Sequence, residues 1–470
     1  MSDNTYRNPE LDVADRVLEI VREAGGGSIH AEVLVERQDL ALTRFANSYI
    51  HQNVADESTS VRLRLHLDGR TAVGSTSHLD GLADLVERTI TAARLSQPDH
   101  GWPDLTPLTP ALTAGNVDEA TANATPQDRA ARVQAFVAAA DGLTTAGYFR
   151  TRYLRAAFAN SAGHSLTGAT TEAAMDGIAR TASSDGMARL ASPRLAEVDG
   201  AVLGARAAAK ARAGTDPVEL PPGPYEVVLE SGAVVDVLQA FAMYGFNGKA
   251  VAERRSFVNL GAAQFDPAVT IVQDPTSAGA IGLGFDVEGT PKGRLELVTA
   301  GVTRHVAHDR RTAAHAGAES TGDAVPGGRP WGPMPMALTL LPAAGQARHT
   351  ATPVTEVDGP GADSSVAELL SGVERGLLVT DFWYTRVLDP RPLVVTGLTR
   401  NGVWLIEDGK IIDAVQNLRF TQRYPQALAP GAVLAVGTHP VLAPASWAGE
   451  SFAAPALRLA SWNFTGGASG

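Results

Sequence analysis

The 470-residue chain contains no cysteine. That absence excludes disulfide staples, thiolate zinc centres, cysteine-ligated iron–sulfur clusters and a cysteine nucleophile. It also lacks any His-Glu dipeptide. There is therefore no helix of the kind that holds a peptidase zinc, with two histidines one turn apart beside a general-base glutamate. No Gly-x-Ser-x-Gly elbow is present, which removes the usual signature of a serine hydrolase. Positive charge is in deficit, 39 Lys and Arg against 51 Asp and Glu, for a formal net charge of -12 and a pI near 5.4. A binder of phosphate backbones needs a basic stripe, so no nucleic-acid partner is expected. No window approaches the ~18 uninterrupted apolar residues of a membrane-spanning helix, and Met1–Arg7 does not lead into the apolar core of a signal peptide. The expected address is the cytoplasm, with no membrane partner. No internal repeat or low-complexity segment is found.

The length suffices for two or three domains, each able to bury a core. Leu11, Ala14, Val17, Leu18 and Val21 fall at helical spacing, and Gly25-Gly26-Gly27 ends that helix. Ala31–Glu36 and Ser60–Leu67 alternate in polarity as strands do. In the second, Val61, Leu63, Leu65 and Leu67 line one face and Arg62, Arg64 and His66 the other, before the Asp68-Gly69 turn. Asp80–Ala93 returns to helix. Gly101–Pro126, rich in Pro, Thr, Ala and Asn, reads as a linker. A helix over Gln127–Ala140, strands turning about Asn160–Gly163 and an Ala-rich helix over Pro193–Ala213 follow. Pro221-Pro222-Gly223-Pro224 marks the sharpest boundary. Beyond it lie short β runs between Gly and Pro turns, and Val403–Glu407 and Lys410–Asp413 across Asp408-Gly409 predict a hairpin. The expected class is α+β: N-terminal α+β units over 1–108 and 109–216, then a large antiparallel, barrel-like β domain over 217–470.

Chemical signals are sparse. His305, His308 and His315 form the sole histidine cluster, but Arg304, Arg310 and Arg311 beside them repel a cation. They read as surface histidines, the last near a helix end before Gly317. Gly245–Ala250 lacks the spacing and hydroxyl of a phosphate loop, and Gly282-Leu283-Gly284 lacks a third glycine, so both read as turns. The apolar helical run Val234–Met243 carries one potential ligand nearby, Asp236, too few for a metal. Around it lie Glu253, Arg254, Arg255, Asp286 and Glu288. Two readings stay open for these five: a salt-bridged, turn-forming cluster with Gly289 and Pro291 shaping the chain, or groups facing a substrate groove or subunit contact. No catalytic residue, metal ligand or cofactor is assigned to this chain.

Asp274-Pro275-Thr276 followed by Asp286-Val287-Glu288-Gly289-Thr290-Pro291 and the Gly301-Val302 strand resembles the TldD/PmbA metallopeptidase family, also called TldD/TldE and historically modulators of DNA gyrase. Arg44–Ser48, Pro333-Met334-Pro335-Met336, Gly376–Thr380 and the hairpin at Val403–Ile412 extend the resemblance over nearly the whole chain. The family has two kinds of subunit. One carries a His-Glu-x-x-x-His zinc helix and a distant Cys ligand; the other lacks them and pairs with the first. This chain departs from the zinc-bearing kind at every ligand and so resembles the TldE/PmbA kind. The resemblance implies a non-catalytic partner subunit of a heterodimeric cytoplasmic zinc metallopeptidase, with zinc on a TldD-type homologue and small or unfolded peptides as substrates. Two other readings remain: a stand-alone hydrolase with metal-independent chemistry drawing on Asp286, Glu288 or Arg255, and a protein-binding adaptor without turnover.

Overall fold

The computed structural model describes residues 8–25, 28–110, 115–342, 364–445 and 450–467. Helix α1 (Pro9–Gly25) buries Ala14, Val17 and Val21 along one stripe. It leads into β1 (His30–Ala46), β2 (Tyr49–Leu67), β3 (Arg70–Thr76) and α2 (Leu82–Leu95). After α3 (Glu119–Ala122) and α4 (Pro126–Ala139) come β4 (Thr144–Asn160), β5 (Ser165–Arg180), β6 (Asp185–Ser192) and α5 (Gly200–Ala213). Thr125 and Asp128 form a capping box that starts α4. All six strands make one antiparallel sheet in the order β3-β2-β1-β4-β5-β6. Because β1 pairs with β4 from Glu32–Asn160 to Phe45–Gly147, segments 1–108 and 109–216 share this sheet. It carries two cores, one with α1 and α2 around Val33, Leu63 and Leu65, the other with α4 and α5 around Phe136, Phe149 and Ala207.

The strands read at Ala31–Glu36 and Ser60–Leu67 are the base of a much longer hairpin. From Tyr49 to Ser60 β2 is mostly exposed, so no apolar alternation reveals it.

The C-terminal region begins with β7 (Gly223–Leu229), α6 (Ser231–Ala240), a π-helical turn over Phe241–Gly245, and α7 (Gly248–Ala252). Next are β8 (Thr270–Gln273), β9 (Leu295–Thr299), β10 (Val302–Thr303), α8 (Arg310–Ala316), β11 (Leu338–Leu341) and α9 (Ser364–Ser371). The long strands β12 (Arg375–Asp389) and β13 (Val394–Glu407) precede β14 (Lys410–Ala414), β15 (Leu418–Arg423), α10 (Tyr424–Ala427) and β16 (Val433–Val436). The chain ends with β17 (Val441–Leu442), β18 (Ala453–Ala454) and β19 (Leu457–Gly467). One sheet runs β12-β7-β19-β15-β13-β14, and because β12 also pairs with β13 it partly closes on itself. The second runs β10-β9-β8-β11-β18-β17. Both are mostly antiparallel, the exceptions including β7–β12 and β11–β18. The expected α+β class with a barrel-like β domain is the architecture found.

Asp408 and Gly409 both have positive φ, the two-residue turn that matches strand twist between β13 and β14. Inside the closed sheet Phe382 packs 4.5 Å from Phe420 and stacks 4.9 Å from Trp462, centroid to centroid. Helix α6 is packed among these sheets, which explains its Val, Ala and Leu content.

The loop Asp286–Pro291 presses the β domain onto the N-terminal sheet. Gly289 there has φ +70°, and a Cβ would lie 2.2 Å from the Phe158 ring. Gly289→Ala should therefore combine backbone strain with overpacking and cost about 2 kcal/mol or more. Denaturant unfolding checks this; an unchanged midpoint would contradict the placement.

Candidate functional site

The register of β1 and β2 sets Glu32 directly opposite Arg64. The Arg64 guanidinium binds Glu32 through Nε and donates from Nη1 to Glu288 Oε1 at 2.6 Å. Glu288 Oε2 accepts the Arg310 N–H at the start of α8, 3.0 Å away, and its backbone carbonyl accepts from Thr106 Oγ1 at 2.5 Å. Two residues earlier, Asp286 Oδ1 accepts from the N–H groups of Glu288 and Thr290, and Oδ2 from that of Ala324, each at 2.9 Å. Arg310 Nη2 donates to the carbonyls of Pro103 and Leu105, and Arg311 Nη2 to both carboxylate oxygens of Asp99 at 2.8 Å. The linker segment is thus pinned between sheet and β domain. Burying a charge is costly unless it is paired or hydrogen-bonded: Arg64 pairs with Glu32 and Glu288, and backbone N–H groups hold Asp286.

Burial, with Glu288 nearby as the second cause, pushes the Asp286 carboxyl up to about 8 in spite of its backbone donors. Burial also raises Glu32 above the usual carboxylate range, against the pull of Arg64. For Arg64 burial opposes the charge, but Glu32 and Glu288 outweigh it and hold the guanidinium protonated.

Two cavities meet at this junction and share Val287, Ala324, Val325 and Gly327 as a common wall. The more polar one, ≈ 930 Å³, is lined by Arg62, Arg64, Asp99, Glu288, Arg311 and Arg329, with Glu253 on its rim. The other, ≈ 650 Å³, is walled by Leu34, Leu154, Met243, Tyr244, Trp331 and Met336, with Glu36, Arg152, Asp286 and Lys292 as its ionisable groups. The π-helical turn closing α6, marked by the Phe246 N–H bond to the Phe241 carbonyl five residues back, delivers Met243 and Tyr244 to that wall.

The five residues singled out in the sequence do not converge. Asp286 and Glu288 are buried at the junction, one lining each cavity. Glu253 lies on the rim, ion-paired with Lys249 and with Arg255, 2.5 Å away. Arg254 sits at positive φ just past α7, and neither it nor Arg255 lines either of these two cavities. The residues that make the apolar wall, and the Glu32–Arg64 pair, escaped sequence reading. The one available signal was charge alternating with Val61, Leu63 and Leu65 on a strand, which reads as a wet face.

Asp236 is fully occupied: Tyr424 Oη donates to Oδ1 at 2.7 Å and Thr385 Oγ1 to Oδ2 at 2.8 Å. His305 Nδ1 lies 2.7 Å from the Glu296 carbonyl and His308 Nδ1 3.2 Å from Thr312 Oγ1, while His315 is in the last turn of α8 before Gly317. Among the described residues no three His, Asp or Glu side chains group where they could hold a metal ion. The described donors are therefore too few for a zinc ion.

Two outcomes follow from the buried charges. Arg64→Met leaves Glu32 and Glu288 facing one another without their cation and should cost about 3–5 kcal/mol in urea unfolding; a loss below about 1 kcal/mol, the range of an exposed pair, would contradict the burial. Asp286 at about 8, with Asp323 and Asp381 raised by burial to about 6, bind their protons more tightly folded than unfolded. Their contribution is complete below the ordinary aspartate pKa and is lost as pH rises through 6 and then 8. The melting temperature should fall between pH 6 and pH 9, and a rise over that interval would contradict these shifts.

Comparison with known proteins places the chain. The family profile described as PmbA/TldA metallopeptidase C-terminal domain matches residues 222–466, and that of PmbA/TldA metallopeptidase domain 1 matches residues 31–93. No curated protein matches the chain. Among solved structures, TldE from Thermococcus kodakarensis is 15% identical, with TM-score 0.81 over 97% of this chain and 100% of that one. A protein of Thermotoga maritima MSB8 described as a modulator of a DNA gyrase is 17% identical, with TM-score 0.78 over 97% and 100%. One of Bacteroides thetaiotaomicron VPI-5482, described in the same way, is 18% identical, with TM-score 0.79 over 98% and 99%. At these identities the structures share the fold. With the C-terminal profile alone covering more than half of its residues, the chain belongs to the PmbA/TldD metallopeptidase family.

Proposed function

We propose that this chain is the non-catalytic partner subunit of a heterodimeric cytoplasmic zinc metallopeptidase that acts on small or unfolded peptides. The observation that carries this reading is a formed, apolar-walled cleft beside a helix whose one acid, Asp236, is engaged by Tyr424 and Thr385. Met243 and Tyr244 from the end of α6 line the ≈ 650 Å³ cavity, where Glu36 and Arg152 add polar anchors. Such a lining suits the side chains of a short peptide. The zinc and the water it polarises then belong to a homologous chain, and this subunit supplies the cleft wall and orientation. In keeping with this, no helix among the described residues is long and apolar enough to cross a membrane.

A stand-alone acid–base hydrolase built on Asp286 and Glu288 gains some support from the elevated Asp286 pKa. Against it, both Asp286 oxygens are engaged by backbone N–H groups, leaving little to offer a substrate.

Mixing this chain with a zinc-bearing homologue should create or greatly raise peptidase activity, through an interface of at least the ~1,000 Å² of a specific contact. Tyr244→Ala in this chain should raise KM for peptide about tenfold while leaving the complex assembled, as loss of a buried aromatic contact would. A homologue fully active alone, with no complex at micromolar concentration, would contradict the proposal and favour an adaptor role.

A further inference from the structure

A third, smaller pocket lies at the other end of α6 from the cleft. It is a cavity of ≈ 70 Å³ bordered by α5, by the first turn of α6 and by β12. By volume it holds several waters or one small polyatomic ion. Its polar lining is unusual because it is incomplete. Arg206 and Lys210 stand one turn apart on α5. Lys210, 3% exposed, is paired with Glu230. Among the described residues Arg206 has no ion-pair partner, and its Nε and Nη2 are buried without a hydrogen-bond partner. Thr380 is 4% exposed, and its hydroxyl is likewise unpartnered. Glu230 uses Oε2 on Lys210 and leaves Oε1 buried and unbonded. Ser231 and Gly232 open α6, a ten-residue helix whose first N–H groups have no acceptor within the helix, and Glu230 at its N-cap makes no side-chain cap.

Lys210 and Glu230 neutralise one another, and Arg189 is engaged by Asp381 at 2.5 Å. The charge left over is the guanidinium of Arg206, reinforced by the positive end of α6. Donors alone would suit any oxyanion. The free Glu230 oxygen adds an acceptor that must receive a proton, so a fully deprotonated anion would set oxygen against oxygen there. We propose that this pocket is a binding site for a protonated tetrahedral oxyanion, inorganic phosphate. The ion's oxygens take the Arg206 and α6 donors, its P–OH donates to Glu230 Oε1, and Thr380 completes the shell. This site is independent of the partner-subunit reading, since it is remote from the cleft and requires no second chain.

Isothermal titration of the purified chain with inorganic phosphate in chloride buffer tests the site. One saturable site per chain is expected, with sulfate at least about tenfold weaker because it brings no proton to Glu230, a tenfold ratio being about 1.4 kcal/mol. Arg206→Ala should weaken phosphate at least about tenfold, the cost of losing a charged donor. If that variant does not fold, Thr380→Val removes only a hydroxyl and should weaken binding about threefold or more. O-phosphoserine separates the free ion from a phosphorylated side chain: weaker binding than phosphate supports the site as drawn, and tighter binding overturns it. No saturable heat with the wild type, equal affinity for sulfate, or an affinity unchanged in the Arg206 or Thr380 variant would each overturn the proposal.

Discussion

The arrangement of the two halves depends on one half-buried cation. Arg64 stands on the N-terminal sheet between Glu32 of its own sheet and Glu288 of the β domain, with side-chain exposures of 20%, 3% and 8%. Removing two carboxylates and a guanidinium from water is costly, and their mutual attraction offsets that cost only when the geometry is held on all sides. The holding is visible in the neighbours: Arg310 and Thr106 bind Glu288, and three backbone N–H groups bind Asp286. A charged junction of this kind fixes orientation more than it adds stability, because an ill-matched docking would strand an ion. The two cavities owe their shared wall, Val287, Ala324, Val325 and Gly327, to that fixed orientation.

What the sequence discloses and what it hides divides along this junction. Val61, Leu63 and Leu65 are fully buried, as their alternation predicts, because the core they face is built largely by nearby segments. The opposite face carries Arg62, Arg64 and His66, as read, but Arg64 meets a residue 224 positions away and His66 stacks on Trp102 at 3.6 Å. A pattern of period two says which side chains share a face, not whether that face meets water or another domain. Asp286, Glu288 and Gly289 were legible as a tight, polar turn. Their burial was not, since it is conferred by the sheet they dock against. Glu253, Arg254 and Arg255 drew notice through proximity in sequence to α6, yet α7 carries them to the rim and beyond.

At the end of α6 the family scaffold surrounds a helix with no His-Glu pair. The helix is packed into the β domain as one of its central elements, and its π-helical turn still turns Met243 and Tyr244 into a cleft. Asp236, the one acid along it, is consumed by Tyr424 and Thr385 in the core. Under the partner-subunit reading, the selective weight on this chain falls on cleft shape and docking rather than on metal ligands.

The proposed function divides the labour between a zinc-bearing chain and this one. Elemental analysis of zinc in this chain alone and in its complex with the zinc-bearing homologue tests that most directly. It should find zinc well below stoichiometric on this chain, and one zinc per heterodimer, lost when the homologue's ligands are replaced. Stoichiometric, chelator-sensitive zinc on this chain by itself would contradict it.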